Sequence, residues 1–344
     1  MMDLQALQVI WFILYFVLIA GYAILDGFDL GVGALSLFAK DQRERGIHMD
    51  SIAPVWDGNE VWLLTAGGAL FAAFPFVYAT VFSGFYLALM LLLVALIWRA
   101  VSFEFRNKVH SPGWIRAWDW AFGLGSLLPP VLFGVAVGNI LRGIPLTEKT
   151  EFAGTFLGLL NPYAVLVGVL ALVMFLAHGA IYLVLKTDGD LQARMQRWAP
   201  GLWIGWVVLY FAATVASLFV SPFLFDGILK NPVFWILFPL MMACVVLIPV
   251  LLKSGRHMLA FIASSAAIAT QIGLAALGLF PRLVPALNDP KLSLTIYNAS
   301  STQRTLTTML MIALVGVPIV IGYTIFIYRV FKGKVRPGEL YGNH

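Results

Sequence analysis

From Leu7 to Phe38 the chain carries only two charged side chains, Asp26 and Asp29, in an otherwise apolar run. A membrane-spanning helix needs about 20 mostly apolar residues. Backbone polar groups have no water to bind at membrane depth, so such a run must form a helix. Comparable runs, bounded by charges, Pro and Gly, recur near 7–38, 54–74, 77–104, 115–140, 161–186, 198–221, 232–252, 257–280 and 305–331, nine in all. The second is the least regular: it opens on "PVWDGNEVW" and is cleanly apolar only from Leu63. The "FPFV" break between the second and third runs reads as a tight turn around Pro75. The first run is too long for a secretory signal, has no basic leader and no small-residue cleavage site, and reads as a retained helix.

Hydrophobic residues make up 61% and charged residues 11% of the 344. A soluble domain is about a quarter charged, so the expected fold class is an all-α polytopic membrane protein. The chain reads as a single integral membrane domain over 1–344, with a first group of spans over about 1–140 and the remaining spans over about 155–335. Eight of the nine spans suffice for two four-helix bundles. Cys244 is the only cysteine; a disulfide framework or a cysteine metal cluster within the chain is thereby excluded.

The net charge of +5 comes from basic residues in short loops rather than from a nucleic-acid-binding patch. Lys40, Arg43, Arg45, Arg106, Lys108, Arg116, Lys186, Arg194, Arg197, Lys253, Arg256, Arg329, Lys332, Lys334 and Arg336 fall on one side of the predicted membrane. Arg142, Lys149, Lys230, Arg282, Lys291 and Arg304 fall on the other. Fifteen against six places the amino terminus outside and the carboxyl terminus in the cytoplasm. On the outside the segment 281–304 is long and polar enough to cap the protein.

With that orientation the charges of the first four spans gather toward the inside. Asp26 and Asp29 lie in the inner half of span one. Asp57 and Glu60 open span two, Arg99 and Glu104 close span three, and Asp119 opens span four. Residues three apart share a helix face, so Asp26 with Asp29, and Asp57 with Glu60, are each expected to address one neighbour. A charge at a helix centre costs roughly 2.5–3.5 kcal/mol on insertion scales and marks a functional interior or a wet cavity. Six acids face one intramembrane Arg, so they are expected to be protonated, hydrated or paired with another subunit. This suggests a path for proton uptake from the inner side. The competing reading makes Asp57, Glu60, Glu104 and Asp119 helix-start acids or salt-bridge partners of Arg99. Gly21, Gly27, Gly31 and Gly33 in span one, with Gly58, Gly67 and Gly68 in span two, suggest that these two spans pack closely.

Of the histidines His48, His110, His178, His257 and His344, only His178 lies inside a span. A bis-histidine haem site cannot be built from it; a His178–Met174 pair remains open, against the commoner case of a hydrogen-bonded buried His. No phosphate-binding loop, hydrolase elbow or metal-protease motif occurs, and no metal site or haem ligand is expected in this chain.

Taken together, "GYAILDGFDLGVG", "SIAPVWDGNEVWLLTAGGALFAAFP", "VFSGFYLAL", "WDWAFGLGSLLPPVLFGVAVGN", "GIPL", "LLNPYAVLVGV" and "LTIYNASSTQRTL" resemble subunit II of the cytochrome bd quinol oxidases, including the cyanide-insensitive branch. The resemblance covers most of the chain; 198–280 match in hydropathy alone. It implies nine spans, as two four-helix bundles plus a peripheral helix, in a bacterial or archaeal cytoplasmic membrane. It implies a partner, subunit I, that holds the b and d haems and oxidises quinol while oxygen is reduced to water. Very small accessory subunits, lipid and a structural quinone are further implied partners; catalysis is not expected of the isolated chain. The resemblance places Asp57 of "WDGN" on a proton path from the cytoplasm, with Asp26 and Asp29 beside it and Trp56 and Trp62 as wall or partner contact. Glu60 stands where relatives carry Gln, which argues against a relay role for it. The rival functions are a proton-coupled secondary transporter, whose acids would gather at the midplane of two repeats, and a pure assembly scaffold.

Overall fold

The computed structural model describes residues 3–335; Arg336 and His344, both considered above, lie outside the described residues. Eleven α-helices account for most of it. They are α1 (Leu4–Leu35), α2 (Gln42–Ile52), α3 (Trp56–Ala73), α4 (Pro75–Gly84), α5 (Tyr86–Phe105), α6 (Pro112–Arg142), α7 (Pro162–Lys186), α8 (Gly189–Val220), α9 (Phe234–Lys253), α10 (His257–Leu279) and α11 (Gln303–Val330). Eight of them are long and apolar enough to cross a membrane. The ninth anticipated span, α3, is a helix of 18 residues that falls short of that apolar standard, because Asp57, Asn59 and Glu60 occupy its opening turns.

Local chemistry sets the helix limits. Pro162 begins α7, and the Asn161 side chain accepts from the Ala164 amide at 3.0 Å, as an N-cap should. Helix α6 stops at Gly143, whose φ of 87° suits a residue without Cβ. The anticipated third span is two helices rather than one: α4 and α5 meet at Phe85, and the turn before them is the single residue Phe74. Helix α8 begins at Gly189 rather than near 198, so Arg194 and Arg197 belong to a helix and not to a loop. Helix α2 was not anticipated at all; Asp41 caps it by accepting from the Glu44 amide at 2.8 Å.

At the centre of the packing, α1 touches α3, α6, α7 and α10, while α5 lies on α6, α6 on α7, α7 on α8, and α9 on α10. Helix α11 touches α1 and α3, and of its residues only Leu306 is buried. Spans one and two do pack together, as α1 on α3 with Gly21 under the Trp62 ring, but the other glycines of α1 serve different neighbours. A Cβ on Gly31 would collide with the Phe175 carbonyl, and one on Gly179 would meet the Gly31 carbonyl carbon at 2.6 Å. The close backbone approach is therefore α1 on α7. Gly58, Gly67 and Gly68 of α3 have nothing near them in the chain; α3 packs on α1 through Trp62, which covers Gly21.

Two apolar clusters divide the molecule along its length. One surrounds Phe28, Ile52, Phe103, Tyr182 and Val184, at the end where α2 lies. The other surrounds Leu7, Trp11, Phe74, Val284 and Ile296, at the amino-terminal end. The 281–304 segment does cap that second end. Its strands β1 (Arg282–Val284) and β2 (Leu294–Thr295) pair antiparallel. Asn288 exchanges two hydrogen bonds with the Leu146 backbone, at 2.9 and 2.8 Å, and the Ser301 amide donates to the Ala73 carbonyl at 2.8 Å.

Candidate functional site

Helix α1 presents Asp26 and Asp29 on one face, α5 presents Arg99, and the first turns of α3 present Trp56, Asn59 and Glu60. These side chains converge. Arg99 Nη2 donates to Asp26 Oδ1 at 2.6 Å and lies 3.9 Å from Asp29 Oδ2; Nη1 donates to Glu60 Oε1 at 3.0 Å. Asn59 Nδ2 donates to Asp29 Oδ2 at 2.7 Å and to the Leu25 carbonyl at 3.2 Å. The Tyr328 hydroxyl of α11 donates to Asn59 Oδ1 at 3.1 Å. The guanidinium sits 6.0 Å from the Trp56 ring, which is itself stacked on Phe103 at 4.7 Å.

The members differ in access. The side chains of Asp26, Asp29 and Arg99 are 0% exposed, whereas that of Glu60 is 24% exposed. Among the described residues, Asp26 Oδ2, Asp29 Oδ1 and the nearby Tyr22 hydroxyl are buried and make no well-aligned hydrogen bond. One guanidinium balances one carboxylate, and three carboxyls surround it. Buried ion pairs are tolerated when geometry is good and the remaining polar atoms are satisfied, so the two bare carboxyl oxygens are open positions for protons or water.

The structure sorts the six predicted acids into three groups. Asp26, Asp29 and Glu60 share Arg99. Asp119, 4% exposed, belongs to a second cluster nearer α2: Arg106 Nε donates to its Oδ1 at 2.7 Å, and Arg45 Nη1 to its Oδ2 at 3.4 Å. The expectation that one Arg alone faces all these acids is thus corrected, because Arg45 on α2 and Arg106 after α5 fold back from segments read as loops. Asp57 and Glu104 form the third group. Both are exposed on this chain and make no hydrogen bond or ion pair among the described residues. Asp57 and Glu60 therefore do not address one neighbour, whereas Asp26 and Asp29 do. Asn59 and Tyr328 were missed by sequence reasoning, since neither carries a charge to draw attention.

Helix α2 is tied down on both sides. Glu44 pairs with Arg194 of α8, and the Tyr182 hydroxyl donates to the Ser51 carbonyl at 2.9 Å. His48 is fully buried there, with Nδ1 2.9 Å from the Glu44 carbonyl. Burial, and secondarily the charge of Arg45, pushes its imidazole down to about 3. His178 has both ring nitrogens engaged by protein, Nδ1 with Ser264 Oγ at 2.7 Å and Nε2 with the Ile24 carbonyl at 3.1 Å, and its ring stacks on Phe261 at 4.8 Å. That arrangement matches the hydrogen-bonded reading of His178. Among the described residues no group of three or more His, Cys, Asp or Glu is placed to hold a metal ion.

A bundle of membrane-length helices around a buried Arg–carboxyl cluster defines a class: integral membrane proteins with ionisable groups held at depth. Residues 7–331 match the family model described as cytochrome bd terminal oxidase subunit II. The chain belongs to that family. It is 38% identical to the probable cytochrome oxidase subunit 2 of Haemophilus influenzae, over 97% of each chain. It is 36% identical to the cytochrome bd-I ubiquinol oxidase subunit 2 of Escherichia coli K12, over 100% of this chain and 99% of that one. A chain of the bd oxidase structure from Geobacillus thermodenitrificans superposes with a TM-score of 0.79 at 19% identity, covering 95% of this chain and 98% of that chain; this likeness concerns the fold.

Proposed function

We propose that this chain is the haem-free second subunit of a quinol-oxidising, oxygen-reducing complex of a bacterial cytoplasmic membrane, and that it stabilises a haem-bearing subunit I. The full-length relatives carry this reading, one of them named as a ubiquinol oxidase subunit. In it, α3 is the ninth span; α1, α3, α5 and α6 form one four-helix group, α7 to α10 the other, and α11 is peripheral. The amino-terminal end faces outward and α2 lies at the cytoplasm, as the basic residues direct.

For the acids, the reading is a proton route that begins at exposed Asp57 and leads to Asp26 and Asp29. Support comes from the half-exposed position of Glu60 beside the sealed members and from the bare oxygens of both aspartates. Protons held there are available to oxygen reduction in the partner. Exposed Asp57 and Glu104, together with the open glycines of α3, suit contact with another polypeptide better than contact with lipid.

The deciding experiment replaces Asp57 with Asn, and separately Asp29 with Asn, in the co-expressed complex. Quinol-driven oxygen consumption and proton uptake are expected to fall while haem absorbance per complex is retained. Unchanged turnover in both variants overturns the route. A second reading, a scaffold in which the acids only lock helices together, is favoured by the 2.6 Å Arg99–Asp26 pair with both side chains fully buried. In that case the same variants lower haem content and yield together, with turnover per haem unchanged.

A further inference from the structure

Far from the Arg99 cluster, at the amino-terminal end, a cavity of about 270 Å³ opens between the α8–α9 connection and the end of α10. Asp226 and Arg282 both line it, with Asn231 and Phe223. The two charges are not paired with each other, and neither side chain has a hydrogen-bond or ion-pair partner among the described residues. Arg282 is held in place instead by the Phe223 ring, 5.2 Å from its guanidinium carbon, and by its backbone in β1. Gly227, with φ of 69°, turns the chain beside Asp226. A guanidinium and a carboxylate kept apart in one polar recess present fixed complements to a positive and a negative group on one molecule.

The cavity also sits where the spans end. Beside it Leu229, Trp235 and Ile236 are exposed, and the Trp235 indole N–H donates to the Leu229 carbonyl at 2.9 Å. Through that bond the exposed first turn of α9 is tied to Leu229, the neighbour in sequence of the lining residue Ile228. The ligand this recess fits is amphiphilic, with a zwitterionic head and long apolar tails.

We infer that this recess binds the headgroup of a phosphatidylethanolamine lipid, with phosphate on Arg282 and ammonium on Asp226. Arginine matches phosphate oxygens with its fork of N–H donors. Asp226 offers a carboxylate acceptor, which an ammonium with N–H donors uses and a quaternary choline cannot. The Phe223 face that would attract a quaternary ammonium is already taken by Arg282. The acyl chains lie on Trp235 and Ile236.

The test uses the intact membrane complex containing this chain, reconstituted in nanodiscs of dioleoyl phosphatidylethanolamine, phosphatidylcholine or phosphatidylglycerol, with lipids retained after detergent extraction counted by native mass spectrometry. The unmodified complex is expected to retain one more phosphatidylethanolamine than either other lipid. Asp226→Asn should erase its preference over phosphatidylcholine, and Arg282→Gln should weaken retention of every phospholipid at this position by about tenfold, the effect of one charge-assisted hydrogen bond. Equal retention of the three lipids, or unchanged retention in both variants, overturns the assignment. Displacement of the lipid by millimolar free phosphoethanolamine overturns it too, because the recess then serves a soluble ligand and not a membrane one.

Discussion

Arg99 and Asp26 meet at 2.6 Å with neither side chain exposed, and this pair joins α5 to α1 across the interior. It also fixes the position of Glu60 and, through Asp29 and Asn59, of Tyr328 on α11. Four helices thus depend on one guanidinium.

Replacing Arg99 by Leu should be among the most damaging changes in the chain. It leaves the three carboxyls without their cation, and removing one partner of a buried pair typically costs about 3–5 kcal/mol. A sharp fall in the yield and melting temperature of the assembled complex is expected, with partial recovery when Asp26→Leu is added. If R99L assembles and melts as the parent does, the cluster does not hold these helices together.

Asp119→Asn acts on the other cluster. Arg106 and Arg45 lose the charge that draws them together, and α2 loses its link to α6. Hydrogen exchange should rise in 42–52 and stay unchanged in α9 and α10. Equal protection of α2 in parent and variant would show that Glu44, Tyr182 and the apolar contacts suffice.

His48 gives the same region a pH dependence with a definite sign. Its ring is held neutral in the folded state, from an ordinary 6.5 down to about 3. The unfolded chain therefore binds the proton more readily. The stability that His48 contributes is fully present above pH 6.5 and is lost as pH falls from there toward 3, by about 1.4 kcal/mol for each unit. Between pH 7 and pH 5 the protection of α2 against hydrogen exchange should drop, and His48→Asn should flatten that drop. An equally steep profile in H48N assigns the titration elsewhere.

Gly31→Ala and Gly46→Ala should move stability in opposite directions. The first drives a methyl into the Phe175 carbonyl across the α1–α7 contact, whereas a Cβ on Gly46 of α2 meets nothing. Overpacking costs about 1–3 kcal/mol, and Ala for Gly in an open helix position gains about 1 kcal/mol. Thermal unfolding of the two variants checks both signs.

The spans were legible because apolar length is a coarse signal that survives without tertiary context; α1, α7, α9, α10 and α11 lie within a few residues of their expected limits. Helix α2 was illegible for the converse reason. Its sequence "QRERGIHMDSI" is polar, and it holds its shape by a cap and by docking His48, Met49 and Ile52 against helices distant in sequence. The same limit applied to the acids. Spacing placed Asp26 and Asp29 on one face, and that followed from helix geometry alone. Whether Asp57 or Glu60 turned inward depended on how α3 is rotated against α1, which Trp62 over Gly21 sets. Which loop arginine returned to Asp119 depended on the path of segments with no periodicity to read.

Helix α11 is fastened at its extremities. Leu306 receives the Trp11 indole N–H at 3.0 Å at one end; at the other, Tyr328 holds Asn59, Lys186 donates to the Phe331 carbonyl, and Lys334 pairs with Asp188. Met309, Leu310 and Ala313 still pack on the apolar cluster at the amino-terminal end, but from Leu314 to Phe326 the helix buries no residue against its own polypeptide. A probe attached near Val315 or Ile319 would therefore report the neighbourhood, lipid or protein, while leaving the rest of the subunit undisturbed.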